Sequence, residues 1–542
     1  MSRKYFSCCV AFALIFVLVF AATAQQSGMR SITAVELRIH LNIIAAEEFK
    51  GRDTPSPELK ITSRYIAEIV KSYGLEPLMP DGSYLQDIPL EVTSYSEKDT
   101  RLRVMGEMGE QIFYFPQAFG LGRSVSPGTY AGEVVFLGYG LEAPDQEWND
   151  YEGIDVAGKV VVMIDGTLPD SHVLRAPENR RVLRNRSTAA RQKGAAAVLT
   201  VISEERERDF VQNESLFGNT KRPQLVEPLA SQGISAPRTS TQPPPPPFIQ
   251  AEIRHDVAAA ILGISKDELN DHFTALSVGR QVLAGAVPNK AVEVTVRRTS
   301  EKNYSSNVVA WIEGTDPNLR DEYVLLGSHH DHLGIRNGMV MPGADDNGSG
   351  TVAMLEIAQA LTIERPKRSV ILVWHTVEEK GLWGARYFVE NSPVPVEKMS
   401  AELNLDMICR NHTDSLYLIG SDKISLELDA AIHKMNDKYI HLGFDYRYND
   451  QLHRDRFFFR SDQFPYIQYG IPAVWFFCGT TRDYHQAGDT VDRADFSKME
   501  RVTRLAYLVA YEIGNKKELL KLDANLEITT RGAHNLQFNW RR

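Results

Sequence analysis

In the C-terminal half of the chain, short unbroken apolar runs alternate with longer segments of helical spacing. The runs at 323–328, 369–375, 399–405 and 473–477 predict buried strands. Between the first two, Met354, Ile357, Ala358 and Leu361 recur at i, i+3, i+4 and i+7, which predicts a helix over 348–363. A second helix is predicted over 498–513. Strands alternating with helices predict an α/β domain, a mostly parallel mixed sheet with helices on both faces.

The N-terminal half is patterned differently. Ile61, Tyr65, Ile69 and Val70 share one face of a helix predicted over 57–73, and Gly74 is its stop. Strand-like runs follow at 102–105 and 111–115. Further on, 133–140, 158–165 and 195–201 read as strands, with a helix rich in Ala, Arg and Lys ending at Gly194. This stretch has no His/Asp/Glu cluster at ligand spacing and reads as a lid or docking unit without chemistry of its own. Segment 213–247 is polar and closes on Pro243 to Pro247, a run that forms neither a helix nor a central strand.

At 542 residues the chain is too long for one ordinary core, so two or more domains are expected. The division expected is a cleaved leader over 1–24, the first part of a main domain over 25–125, an insertion over 126–288, the rest of the main domain, with the candidate chemistry, over 289–520 and a tail over 521–542. Apolar content of 43% and charged content of 24% are those of a globular protein, and a net charge of −10 gives no reason to expect a nucleic-acid partner.

Arg3 and Lys4 precede an uncharged run from Phe6 to Ala22, followed by the small residues Ala22-Thr23-Ala24. That build predicts a secretory signal cleaved after Ala24, a secreted or periplasmic protein and no stable membrane anchor afterwards. Cys8 and Cys9 would leave with the signal. Cys409 and Cys478 remain, as one disulfide or two free thiols.

The chemistry lies in five segments: Gly327-Ser328-His329-His330-Asp331-His332, Gly343-Ala344-Asp345-Asp346-Asn347, Val377-Glu378-Glu379-Lys380, Asn404-Leu405-Asp406-Met407 and Asp483-Tyr484-His485. Most of them follow predicted strands, and in open α/β sheets ligands bind beyond the carboxyl ends of the strands. Imidazole and carboxylate donors suit zinc. Two zinc ions about 3.5–4 Å apart, sharing a carboxylate, would hold a hydroxide between them and polarise a substrate carbonyl. Asp346 is the natural bridge. Glu378 stands beside Glu379, so one can move a proton while the other binds metal. Asp331 is placed to orient His329. Any one of the three histidines in 329–332 can be a bystander.

Together these segments resemble the co-catalytic dizinc aminopeptidases, the family that includes glutamate carboxypeptidases and related exopeptidases. The resemblance runs from about Leu37 to Ile513 and implies a zinc exopeptidase fold. It implies one zinc on His329 and Asp406, the other on Glu379 and His485, and Asp346 bridging them. Glu378 is implied as general acid/base and Tyr484 as a hydrogen-bond partner of the tetrahedral intermediate. The insertion resembles a protease-associated domain. Cys409, Gln463 and Thr481 depart from residues common in the family, and each is a candidate for the substrate rim. The expected function is removal of N-terminal residues from peptide substrates. A carboxypeptidase or dipeptidase is the rival, with Arg410, Arg454, Arg456 and Arg460 as candidate clamps for a carboxylate. A non-catalytic binding protein on the same scaffold is a further alternative.

Overall fold

The computed structural model describes residues 27–523, apart from 108, 122–124, 177–178, 180–181, 184, 214–221, 228, 230–247, 337 and 451–452. The expected signal segment, most of the Pro-rich loop and most of the tail lie outside the described residues. The described residues fall into two compact units, one within 1–90, 225–237 and 302–542, the other within 91–224 and 238–301.

The larger unit is built on a mixed sheet. Its order, from one side, is Arg222–Leu225, Leu85–Tyr95, Arg298–Ile312, Ser369–His375, Tyr323–His329, Met399–Leu405, Ala473–Phe477, Ser415–Ile419 and Gly443–Asp445. The four strands from Ser369–His375 to Ala473–Phe477 run parallel, and antiparallel neighbours flank them. Their residues are buried on both sides, as parallel strands covered by helices require. Alternate residues show the two layers. Val324, Leu326, Val370 and Leu372 join one core with the helices Ala34–Ile44, Gly350–Ile363 and Phe496–Gly514. Leu325, Ile371 and Val373 join a second core with Ala385, Phe388 and Tyr466.

The helix predicted over 57–73 forms as Pro57–Ser72, with the Ser56 hydroxyl accepting the Leu59 N–H at its start. Helix Gly350–Ile363 is buried on nearly every side, more widely than the single stripe predicted. It packs on the sheet and also against helices Ala34–Ile44, Pro57–Ser72 and Phe496–Gly514.

The smaller unit has its own mixed sheet, ordered Gly109–Tyr114, Arg101–Gly106, Gly285–Val296, Gly128–Phe136, Val160–Ile164, Ala197–Val201, Ile249–Ile253 and Phe119–Leu121. It extends beyond 126–288 in both directions. The cause is pairing: Leu102 and Val104 lie opposite Val294 and Val292, so both flanking strands belong to this sheet. Helix Lys266–Ser277 opens on a capping box between Ser265 and Glu268.

One buried carboxyl in the larger unit has a measurable consequence. Glu356, only 1% exposed on helix Gly350–Ile363, lies 3.7 Å from His40. Burial and the neighbouring Glu36 push its carboxyl up to about 8. A raised folded-state pKa favours the protonated fold, so this contribution is present at low pH and is lost as pH rises toward 8. Glu356→Gln cannot ionise. Its stability relative to the native protein is expected to rise by about 2 kcal/mol between pH 5 and pH 9, read by chemical denaturation. A gap that stays constant contradicts this.

Candidate metal centre

Each of the five segments is placed by the end of an element in the larger unit. His329 is the last residue of strand Tyr323–His329. Its Nδ1 lies 3.0 Å from the Asp331 carbonyl, so that nitrogen carries the proton. Nε2 is left facing Asp346 Oδ1 and Asp406 Oδ1, each at 3.4 Å. Asp406 follows strand Met399–Leu405, and its other oxygen accepts the Ser461 hydroxyl at 2.5 Å. Glu378 and Glu379 sit on a short turn after strand Ser369–His375. Glu379 Oε2 is 3.5 Å from His485 Nε2, which is 3.1 Å from Asp346 Oδ2. Asp346 therefore turns one oxygen to His329 and the other to His485.

Asp345 is directed elsewhere. Its Oδ1 accepts the N–H and thiol of Cys409, at 3.0 and 3.2 Å. Asn347 closes the loop, accepting the Gly350 N–H and donating to Ser328 Oγ and the Leu405 carbonyl. His330 is turned away: Nδ1 donates to the His375 carbonyl at 2.7 Å and Nε2 meets Ser63 Oγ at 2.8 Å. The Asp331 carboxylate stands 3.9 Å from His329 Nδ1 and instead accepts the Glu378 N–H and the Thr54 hydroxyl. It is the carbonyl of Asp331, then, that orients the His329 ring, while the side chain anchors the Glu378 turn.

Three supporting residues were given no role by the sequence reading. Asp489 accepts the N–H groups of Asp345 and Asp346. Arg52, fully buried, donates to the carbonyls of Ile44, His330, Pro342 and Gly343. His332, fully buried, lies with Nδ1 2.9 Å from Glu379 Oε1. Asp489 stood just past the fifth segment and His332 inside the first. No local pattern marked Arg52.

The open space at the site is lined by His329, Asp346, Glu378, Glu379, Asp406 and His485, with Met407, Phe457, Trp475, Phe477, Thr480, Tyr484 and Arg460 around them. Tyr484 stacks on His485 and accepts from Arg460 at 3.1 Å. Cys409, Gln463 and Thr481 do not line this space. Gln463 donates to the Phe458 carbonyl, and Thr481 accepts the Asp483 N–H. Cys409 and Cys478 are buried free thiols. Of the four arginines, Arg410 pairs with Asp483, Arg454 with Asp455, Arg456 lies over Phe459, and Arg460 alone faces the site.

The electrostatics favour a cation here. Burial drives the Glu378 carboxyl well above its usual range, against the pull of His329 and with the charge of Glu379 adding to the rise. Burial and Asp489 push Asp345 up to about 8. Burial works against the charge of Asp346 too, but the imidazoles of His332, His329 and His485 hold its carboxyl well below the usual range. Asp406 Oδ1 and Glu379 Oε1 are buried without a hydrogen-bond partner. Among the described residues two groups converge closely enough to share an ion, His329 with Glu378 and Asp406, and His332 with Asp346 and Glu379. A tetrahedral ion with arms of about 2.1 Å holds its ligand atoms about 3.4 Å apart, and the separations here run from 3.1 to 3.5 Å for the His329 and His485 contacts. The donor set fits divalent metal.

Residues 307–510 match the model of peptidase family M28. The matched segment holds all five candidate ligand segments. The chain is 28% identical over 293 residues to leucine aminopeptidase 2 of Arthroderma otae, covering 48% of this chain and 57% of that protein. It is 29% identical over 232 residues to an aminopeptidase of Pseudomonas aeruginosa, covering 40% of this chain and 41% of that one. The chain thus spans about half the length of the curated relatives it matches. In fold it is similar to an aminopeptidase from Aneurinibacillus sp. strain AM-1, with a TM-score of 0.50, 17% identity and coverage of 91% of this chain and 97% of that one. A zinc aminopeptidase from Bacillus subtilis gives a TM-score of 0.51, 16% identity and coverage of 90% and 97%.

If cations hold these carboxylates together, their removal must loosen the fold. Stripping divalent metal with a chelator is expected to lower the melting temperature by about 5 °C or more, and restoring metal is expected to recover it. Asp346→Ala is expected to melt low with or without chelator. A wild-type melting temperature indifferent to chelator contradicts this.

Proposed function

We propose that the chain is an exported aminopeptidase that uses two zinc ions. The observation that carries this reading is Asp346, whose two oxygens face separate imidazoles with carboxylates beside each. His329 and Asp406 would hold one ion, Glu379 and His485 the other, and Asp346 both. When bound, the ions would supply Lewis acidity toward a substrate carbonyl and acidify a water between them.

The protein's own groups do the rest. Glu378, whose Oε2 lies 3.9 Å from His329 Nε2, takes a proton from water as the carboxylate and, protonated by that step, returns it to the leaving amine. Asp331 fixes the turn that carries it, through the Glu378 N–H. Tyr484 presents a phenol at the rim, oriented by Arg460, where it can donate to the developing oxyanion. Met407, Phe457, Trp475 and Phe477 supply an apolar wall for a substrate side chain. Export rests on the charged start, apolar run and small-residue end of 1–24. No described helix is long and apolar enough to cross a membrane.

Arg460 supports a second reading. It faces the site and pairs with no carboxylate among the described residues, so it can clamp the C-terminal carboxylate of a short substrate, as a dipeptidase needs.

A panel of free aminoacyl, amino-blocked and dipeptide substrates separates the two. Rapid cleavage of free aminoacyl amides with no cleavage of blocked ones is expected. Blocked peptides cleaved as fast as free ones would sink the aminopeptidase reading, and cleavage of dipeptides alone, abolished in Arg460→Ala, favours the second. Glu378→Gln is expected to keep its metal and lose about 100-fold or more in kcat. Full activity in that variant removes Glu378 from proton transfer.

A further inference from the structure

The two halves of the metal centre are not alike. Around His329 there is one imidazole, since His330 is committed to Ser63 and the His375 carbonyl. Around Glu379 there are two. His332 and His485 flank the carboxylates of Asp346 and Glu379, with ring centroids 5.9 Å apart and planes at 69°. His485 is partly exposed, whereas His332 is buried completely.

The His332 ring is held firmly. Its backbone N–H donates to the Arg52 carbonyl at 3.1 Å. Gly343, at φ +60°, backs onto the ring so closely that a Cβ there would lie 2.6 Å from the ring carbons. A larger residue at 343 would displace the imidazole. The ring is thus aimed at Glu379 and Asp346 from behind, with Nδ1 2.9 Å from Glu379 Oε1 and 3.9 Å from Asp346 Oδ2.

That 2.9 Å contact is not a hydrogen bond. Both nitrogens of His332 and Oε1 of Glu379 are buried without a hydrogen-bond partner, because the ring N–H direction does not meet the oxygen. Two buried atoms this close, neither with a hydrogen-bond partner, are left free to face a common third atom. A separation of about 2.9 Å suits two ligands at roughly right angles on an ion with arms of about 2.1 Å. His332, Asp346 and Glu379 each offer an atom close enough to the others to share one ion.

We propose that His332 is a direct ligand of the second metal through Nδ1, joining Glu379, Asp346 and His485. The inference rests on the reading of this site as a metal centre and adds a ligand to it. It makes the second position a site of two imidazoles and two carboxylates, the first a site of one imidazole. Imidazole favours zinc over magnesium, calcium and manganese, so the second position is the more selective of the two.

The test counts nitrogen rather than activity. X-ray absorption of the fully zinc-loaded native protein is expected to give about 1.5 imidazoles per zinc, three rings over two ions, and His332→Ala about 1.0. In a chelator competition, His332→Ala is expected to weaken one of the two zinc sites by more than about 100-fold, beyond the 10–100-fold usual for an outer partner of a ligand. About 1.0 imidazole per zinc in the native protein overturns the proposal even if the variant fails to fold. A loss of about 100-fold or less in a folded variant, which an outer partner would also give, overturns it too. A protein that binds zinc but cleaves no peptide strikes the proposed function and leaves this count standing, whereas one that binds no zinc overturns both.

Discussion

Buried negative charge is the constraint around which this end of the larger unit is organised. Asp331, Asp345, Asp346, Asp406 and Asp489 are all buried, and Glu378 and Glu379 are nearly so. Carboxylates crowded out of water cannot all remain ionised without compensation. Part of that compensation is built in. Arg52 is sunk beneath the site, and Asp345 and Glu378 are pushed toward their protonated forms. The remainder falls on the imidazoles and on the divalent ions proposed between them.

The scaffold converts this electrostatic cost into position. Asp489 gathers the N–H groups of Asp345 and Asp346, and Asn347 ties that loop to strand Tyr323–His329 and to the Leu405 carbonyl. Asp331 secures the Glu378 turn. Ser461 fixes one oxygen of Asp406. Each reacting group is therefore held by a neighbour from a different segment, and the parallel strands bring those segments to one edge. Held this way, the ligand atoms need little reorganisation to take up a metal.

What was legible in the sequence was what local pattern carries. Apolar runs gave the parallel strands, and strand ends carried most of the ligand segments, because a parallel sheet presents its carboxyl ends together. Asp346 rather than Asp345 rested on resemblance, and the directions of the two side chains now give it a physical basis. The contacts that escaped are long-range. Arg52 reaches carbonyls of residues 330, 342 and 343, and nothing around residue 52 announces that. The all-round burial of helix Gly350–Ile363 comes from helices distant in sequence. The extent of the smaller unit was hidden because strands Arg101–Gly106 and Gly285–Val296 pair across nearly two hundred residues. His332 was visible but indistinguishable from its neighbours until the ring directions separated it from His330.

The central claim is that the crowded carboxylates are a site for two ions bridged by Asp346. The most direct measurement is zinc bound per chain, by elemental analysis of protein reconstituted with zinc and freed of excess. The account predicts about two zinc ions per native chain and fewer than one in Asp346→Ala. One ion or none in the native protein, or two retained by the variant, would contradict it.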